Sequence, residues 1–569
     1  MNEIILTYVV SLLLALPLGW YMANVFASSS GALDRVFGPV EQGVFRLAGI
    51  DASRPMDWKG YALAFMKFHV GLGALVFFIL YFQGYLPLNP DGIQGMDWDL
   101  ALHTATSFLT NTNQQHYSGQ AQLSYFAHMF GIVTLQVITP TAGLVALVAI
   151  VRTLLARPHT VRQLGSGEVA VGNFYRDLVR AILRITLPLA FLVAILIAWQ
   201  GVPSTFEGAQ TTNTLDPAAE MTQQEVPVGP VASMVAIKQL GTNGGGWYGP
   251  NSSVPLENPT PVSNFIETVS LVLIPIATVI MAGFLSGRRR LAAGILSVMV
   301  MLSVSLVSLA VWSENQPNAA FVGLSETGPN MEGKETRFGP TASALWGAFT
   351  TQTSNGSVNS MHDSWNPMGG LVTLMDMFIN AIFGGVGVGL INFLLYGLLA
   401  AFLGSLMIGR SPAIYGRALE AKEIKLLSIA LLLPSLLILS FTGASFAFSG
   451  LAQNSNPAFH GISQVLYEYT SAFANNGSGF EGLGDDTVWW NVTTSVNLVF
   501  GRFIPIVALL AIGARIAGKR AAPTGRGSLK IETPTFAVLT LGVIVLIALL
   551  SFMPVLVLGP IGEQLFLAN

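Results

Sequence analysis

Ten stretches of this chain are apolar over about a membrane's width: roughly 3–24, 61–83, 124–151, 181–200, 264–286, 291–312, 370–409, 426–448, 490–514 and 534–558. A helix needs about 20 apolar residues to cross the hydrocarbon core. Inside lipid each backbone polar group must be satisfied within the protein. The pattern therefore predicts an all-α polytopic membrane protein of ten transmembrane helices. The first stretch has no basic flank before it and reads as a first span, not a cleaved signal.

Charge placement gives an orientation. Of 27 Lys and Arg residues, 23 fall in alternate loops or at their membrane boundaries, at 35–67, 152–184, 288–290, 410–425 and 515–530. The other loops hold only Lys238, Lys334 and Arg337, and Arg502 lies inside a span. Basic residues collect on the inner side. Both termini are thus expected on the outer side of the membrane. Charged residues make up 10% of the chain, against about 25% in soluble domains. Net charge is −3, with no basic face for nucleic acid. The chain has no cysteine, which excludes disulfides and thiolate chemistry.

The long outer loops repeat one polar turn: LTNTN at 109–113, GTNGG at 241–245, TSNGS at 353–357 and ANNGS at 474–478. Aligning the asparagines puts Asn111, Asn243, Asn355 and Asn476 in register, at spacings of 132, 112 and 121 residues. Each turn follows a short, moderately apolar stretch, at 99–110, 231–242, 341–354 and 462–475. Twelve helical residues reach about 18 Å, half a bilayer core, so such a segment dips in and returns. The expected unit is span, pore loop, span, present four times, with one extra helix at each end.

This reading divides the chain as follows. A first span and inner loop cover 1–60 and repeat 1 covers 61–152, with filter loop 110–115. Repeat 2 covers 180–287 (filter loop 242–246), and repeat 3 covers 290–409 (filter loop 353–357). Repeat 4 covers 425–515 (filter loop 474–478), and the last span is 534–558.

Short helices converging on an axis aim their negative ends at it. Turns at their tips present rings of carbonyls, the device that replaces the hydration shell of K⁺. Glycine leaves no side chain in such a pore. The turns carry no Asp or Glu, so the site offers dipoles and suits a monovalent cation. In this register the first loop has Thr112 where the others have glycine.

Three further features stand out. The segment 370–409 would run about 60 Å as one helix, and FGGVGVGL at 383–390 breaks it, reading as a gate or as close helix packing. Arg502 is an intramembrane charge, functional by default, with snorkelling to the inner surface as the other reading. Asp376 is either its partner or a group facing the outer vestibule. GPNMEGKE at 328–335 mimics a phosphate-binding loop but has Glu335 where a hydroxyl is needed. It reads as a false match, so a change at Lys334 is expected to be mild. The seven histidines show no metal-ligand spacing. The sequons at Asn251, Asn355, Asn476 and Asn491 matter only in a eukaryotic secretory setting.

The residues NPDGIQGMDWDLALHTATSFLTNTN, GPVASMVAIKQLGTNGGG, NMEGKETRFG, MHDS, FGGVGVGL, LMIGRSP, NNGSGFEGL and GRF resemble the channel-like A subunit family of the bacterial Kdp potassium-transporting ATPase, within the superfamily of potassium transporters. The likeness runs from about residue 60 to the C-terminus. It implies K⁺ as the only ligand, with no organic cofactor, and no catalysis by this chain. As partners, beside membrane lipids, it implies a P-type ATPase (B) subunit that hydrolyses ATP, a single-span C subunit and a small F subunit. The family's filter positions fall on Asn111, Thr112, Asn113, Thr242, Asn243, Gly244, Asn355, Gly356, Asn476 and Gly477. Outer-site support falls on Gln115 and Asn251. The gating loop falls on Gly384, Gly385, Gly387 and Gly389, and inner-cavity basic residues on Arg502 and Arg410. Two departures accompany it: Gln114 stands where the family has an aromatic, and Asn380 where it has an acid. Asp376, one turn earlier, is the candidate substitute. A stand-alone K⁺ or Na⁺ channel-type transporter of the same superfamily is the alternative.

Overall fold

Apolar side chains face outward from most of the long helices: Leu13, Phe78, Phe191, Leu432 and Leu550 are all exposed. That surface suits lipid, where burying them gains nothing. In this computed structural model, which describes residues 2–27, 32–157, 160–216, 220–321, 328–523 and 529–567, ten helices are long and apolar enough to cross a membrane. They are Asn2–Phe26, Trp58–Tyr85, Ala127–Val151, Phe174–Trp199, Pro261–Ser286, Arg289–Glu314, Val388–Met407, Ala421–Ala447, Val488–Gly518 and Pro534–Leu558.

Four shorter helices end at the repeated turns: Trp98–Leu109, Val231–Leu240, Gly339–Gln352 and Ala458–Ala474. These are called pore helices one to four. Each packs against the long helix before it and the helix after it. The helix that closes each unit also packs on the pore helix of the next: Ala127–Val151 on pore helix two, Pro261–Ser286 on three, Pro367–Ile379 on four, and Val488–Gly518 back on one. The four units therefore close a ring. The first helix lies along Pro261–Ser286 and the last along Val388–Met407, outside it.

The long apolar segment after the third turn is broken, as its length requires. Pro367–Ile379 stops at Asn380, which takes a left-handed conformation at φ 44°, and the helix resumes at Val388. The break thus begins three residues before the glycine run. A set of ion pairs sits at the helix ends away from the turns: Arg152 with Asp177, Arg184 with Glu41 at 2.5 Å, Arg288 with Glu532 at 2.8 Å and Arg515 with Glu423 at 2.6 Å.

Candidate functional site

The four turns share one backbone geometry, and it corrects the sequence register. The N–H of Asn243 donates to Lys238 (2.9 Å), that of Asn355 to Thr350 (2.9 Å) and that of Asn476 to Ser471 (2.9 Å). In the first loop the equivalent bond is made by Thr112, to Ser107 (3.0 Å), not by Asn111. Left-handed residues flank each of these positions. Asn111, Thr242, Ser354 and Asn475 precede them at φ 64°, 48°, 52° and 54°. Asn113, Gly244, Gly356 and Gly477 follow at φ 56°, 66°, 90° and 103°. The expected alignment is one residue off in loop one. Asn113, not Thr112, occupies the glycine position there.

Glycine is demanded at the other three by contact as well as by φ. A Cβ on Gly244 would lie 2.0 Å from the backbone oxygen of Asn355. One on Gly356 would lie 2.1 Å from that of Asn476, and one on Gly477 2.1 Å from that of Thr112. Each glycine therefore presses on a carbonyl of the next loop around the ring. At the remaining corner Asn113 keeps its side chain, and its Nδ2 donates to Gly244 O at 2.9 Å. Asparagine tolerates the left-handed region better than other side chains.

Amide side chains clamp neighbouring loops. Asn355 Nδ2 donates to Lys238 O (2.8 Å) and Asn476 Nδ2 to Thr350 O (2.8 Å), each reaching the end of the preceding pore helix. Asn111 Nδ2 donates to Thr242 O (3.0 Å). Gln115 makes a two-bond clasp with Gly246: its Nε2 donates to the carbonyl (3.0 Å) and its Oε1 accepts from the N–H (2.7 Å). Asn251 is buried and donates to Gly249 O (3.2 Å). Asn251, Asn355, Asn476 and Asn491 are all buried, which leaves no room for glycans on any of the sequons.

Behind the second and third turns lies a buried polar frame. Lys238 pairs with Glu257, both fully buried. Gln239 holds Ser357 through its Oε1 (2.9 Å) and Glu267 through its Nε2 (2.9 Å). An unpaired charge in such a place costs several kcal/mol, so these groups hold one another in register.

The broken segment passes beside the turns. Gly384 N–H donates to Gln352 O (2.7 Å), and Val386 N–H to Thr242 Oγ1 (2.9 Å). A Cβ on Gly385 would meet Thr242, Arg502 and Ser354 at 3.6–3.9 Å. One on Gly387 would lie 2.4 Å from Gly143 O, and one on Gly389 1.8 Å from Phe383 O. Asn380 receives a hydrogen bond from Ser354 Oγ (2.8 Å) and donates to Ala474 O (3.1 Å). The loop is wedged against the second, third and fourth turns and cannot thicken without moving.

Arg502 is 2% exposed and donates to Thr139 O at 3.0 Å. It does not snorkel to a surface. Asp376 does not pair with it, nor does it face a vestibule: it is fully buried and accepts from Thr351 Oγ1 (3.0 Å) and Gln352 Nε2 (3.4 Å). It braces the end of pore helix three. Arg410 is exposed beyond Val388–Met407, a helix that at 1.5 Å per residue sets it about 30 Å from the glycine loop. Lys334 also departs from expectation. Its ammonium is buried and pairs with Glu314 at 2.9 Å, so it is a structural cation and not a mild position.

Sequence reasoning missed Ser354 and Asn475, whose left-handed φ marks them as equivalents of Thr242. It missed Gln136, which donates to Gly244 O at 3.1 Å. Identical spacing of turn and pore helix was the available signal for the first two. No local signal marks the third.

Comparison with known proteins adds four likenesses. A family model described as the potassium-transporting ATPase A subunit matches residues 5–565. The chain is 44% identical to the potassium-transporting ATPase potassium-binding subunit of Gloeobacter violaceus, covering 99% of this chain and 97% of the relative. It is 44% identical to that of Pseudomonas putida, over 99% and 98%. Among solved structures it is similar in fold to the potassium transporter TrkH from Vibrio parahaemolyticus. There the TM-score is 0.52 and the identity 15%, over 90% of this chain and 98% of that one.

Proposed function

The chain belongs to the family of potassium-transporting ATPase A subunits, and on that premise we propose how its parts divide the work. It is the potassium-binding subunit of such an ATPase, a multi-pass membrane protein that carries K⁺ and leaves ATP hydrolysis to another subunit. The four turns are the K⁺ filter. Asn111, Thr112, Asn113, Thr242, Asn243, Gly244, Asn355, Gly356, Asn476 and Gly477 form its wall, joined by Ser354 and Asn475. The observation that carries this reading is the ring of glycine-to-carbonyl contacts between successive loops. Backbone carbonyls held that close around an axis replace water around a desolvated cation, and the negative ends of four pore helices favour it.

The glycine loop beside the filter, with Arg502, is the gate. A fixed cation next to a cation path raises a barrier there. Gln115 and Asn251 support the outer end. The turns face the outer side of a bacterial plasma membrane, with both termini on that side. The partners are the ATP-hydrolysing P-type (B) subunit, a single-span C subunit and a small F subunit. The four repeat units, divided as the sequence suggests, act as one filter.

The test is K⁺ or Rb⁺ binding to the purified chain with Na⁺ as competitor. K⁺ is expected to win clearly. Equal affinity for the two ions would sink the filter assignment.

A further inference from the structure

Three ligand-bearing side chains from distant parts of the chain converge beside the first filter turn. His116 follows that turn by three residues, Glu468 lies on pore helix four, and Asp485 lies on the loop after the fourth turn. Among the described residues they form a group whose ligand atoms all lie within 4.8 Å of one another. His116 Nε2 is 3.3 Å from Glu468 Oε1 and 4.0 Å from Asp485 Oδ2.

The other face of the imidazole is already committed. His116 Nδ1 lies 2.7 Å from Asn491 Oδ1. Asn491 Nδ2 donates to Asp99 Oδ2 at 3.0 Å, which turns the amide oxygen toward the histidine. Nδ1 therefore carries the proton and donates it. Nε2 faces two carboxylate oxygens, a gap that is filled either by the imidazole's own proton or by a metal ion in its place. A histidine that donates one nitrogen to a fixed oxygen and offers the other outward has the build of a metal ligand with its supporting shell.

A second observation points the same way. Gln114 is buried, its Nε2 donates to Glu468 Oε1, and its Oε1 has no hydrogen-bond partner. Its amide holds the Glu468 carboxylate in place beside the histidine. Ligand atoms around tetrahedral zinc stand about 3.3–3.5 Å apart. His116 stands 3.3 Å from Glu468 and 4.0 Å from Asp485, and all three separations are within 4.8 Å, so Asp485 is the group that has to close in. Its side chain is 28% exposed, against 0% and 2% for the other two, which gives it that freedom and gives an ion a way in. One imidazole nitrogen with carboxylate oxygens suits zinc-class metals, while Mg²⁺ prefers oxygen alone.

We propose that His116, Glu468 and Asp485 bind one divalent transition-metal ion of the zinc class. The ion would cross-brace the first and fourth filter loops at the joint where the ring of turns closes. No spacing motif announces it, because the three ligands are brought together only by closure of the ring.

The experiment uses the full-length chain in detergent, tag removed and stripped of metal, titrated with Zn²⁺ against a chromophoric chelator at neutral pH. One Zn²⁺ per chain is expected for the wild type. Affinity should fall by at least about tenfold in Asp485→Asn and in His116→Gln. Asp485 is the safer variant because it is partly exposed, and gel filtration checks that both remain folded. A wild-type chain that takes up no stoichiometric Zn²⁺ overturns the proposal, and so does unchanged affinity in folded Asp485→Asn. In either case a proton alone fills the gap between the three groups.

Discussion

Gly477 and Thr112 belong to the last and the first of the four turns, yet a single methyl on Gly477 would stand 2.1 Å from the Thr112 backbone oxygen. No carbon tolerates that distance, so one of the two loops has to withdraw. The contact joins the last turn to the first and closes the ring.

Gly477→Ala and Gly356→Ala are accordingly expected to weaken K⁺ binding by about tenfold or more, a cost of about 1.4 kcal/mol, while the protein still inserts and elutes as a single species. Calorimetric K⁺ titration of the purified variants checks this. Wild-type affinity in both would remove these glycines from the filter.

Asn113→Gly tests the odd corner. Glycine adopts the same left-handed φ freely, but the bond from Asn113 to Gly244 O disappears. The loss of one buried hydrogen bond is worth about 1 kcal/mol. The expected outcome is a poorer preference for K⁺ over Na⁺ in competition binding with a small fall in thermal stability. An unaltered ion preference would make Asn113 a packing residue only.

On the proposal that the glycine loop is the gate, its action and that of the filter can be separated by experiment. A Cβ on Gly387 meets Gly143 O at 2.4 Å, away from the turns. Gly387→Ala should change Rb⁺ uptake by cells carrying the assembled pump and leave K⁺ affinity of the purified chain near wild type. An equal fall in both would merge the two functions.

Lys334→Met breaks a buried pair and leaves Glu314 to hold its charge alone, beside Asn330 at 3.0 Å and the Asn366 N–H at 3.0 Å. Removing one partner of such a pair costs about 3–5 kcal/mol. A marked fall in unfolding temperature is expected, partly recovered in Lys334→Met/Glu314→Gln. Failure of the second change to recover anything would argue against the pair as the cause.

His460 links the short helix Pro560–Leu567 to the segment after the third turn, with Asp363 Oδ1 and Glu563 Oε1 both at 2.8 Å. Burial opposes its charge, but the bonds to Asp363 and Glu563 outweigh burial and lift the imidazole to about 10, above its usual 6.5. Its stabilising contribution is therefore complete below pH 6.5 and is lost as pH rises through 10. Unfolding temperature should decline over that window, less steeply in Glu563→Gln. Parallel slopes would exclude this group.

The spans were legible in the sequence because lipid imposes a length and a polarity that no neighbour can relax. The pore helices were legible because they were too short to cross. The register of loop one was not. TNTN offers two asparagines two residues apart, and only the hydrogen bond from Thr112 to Ser107 decides between them. The partners of Asp376 and Lys334 were hidden for a related reason. Thr351 and Glu314 lie 25 and 20 positions away, in elements whose mutual packing no local pattern encodes.

In the filter proposed above, four corners strung on one chain differ in kind from four copies of a short chain. In a homotetramer any change at the corner is made four times over, and an asparagine at the glycine position would face itself across the axis. Here each corner has its own codon. Asn113 can stand alone among Gly244, Gly356 and Gly477, so selection can adjust ion preference in quarter steps, and one side of the ring can specialise in holding an ion while the opposite side specialises in passing it on.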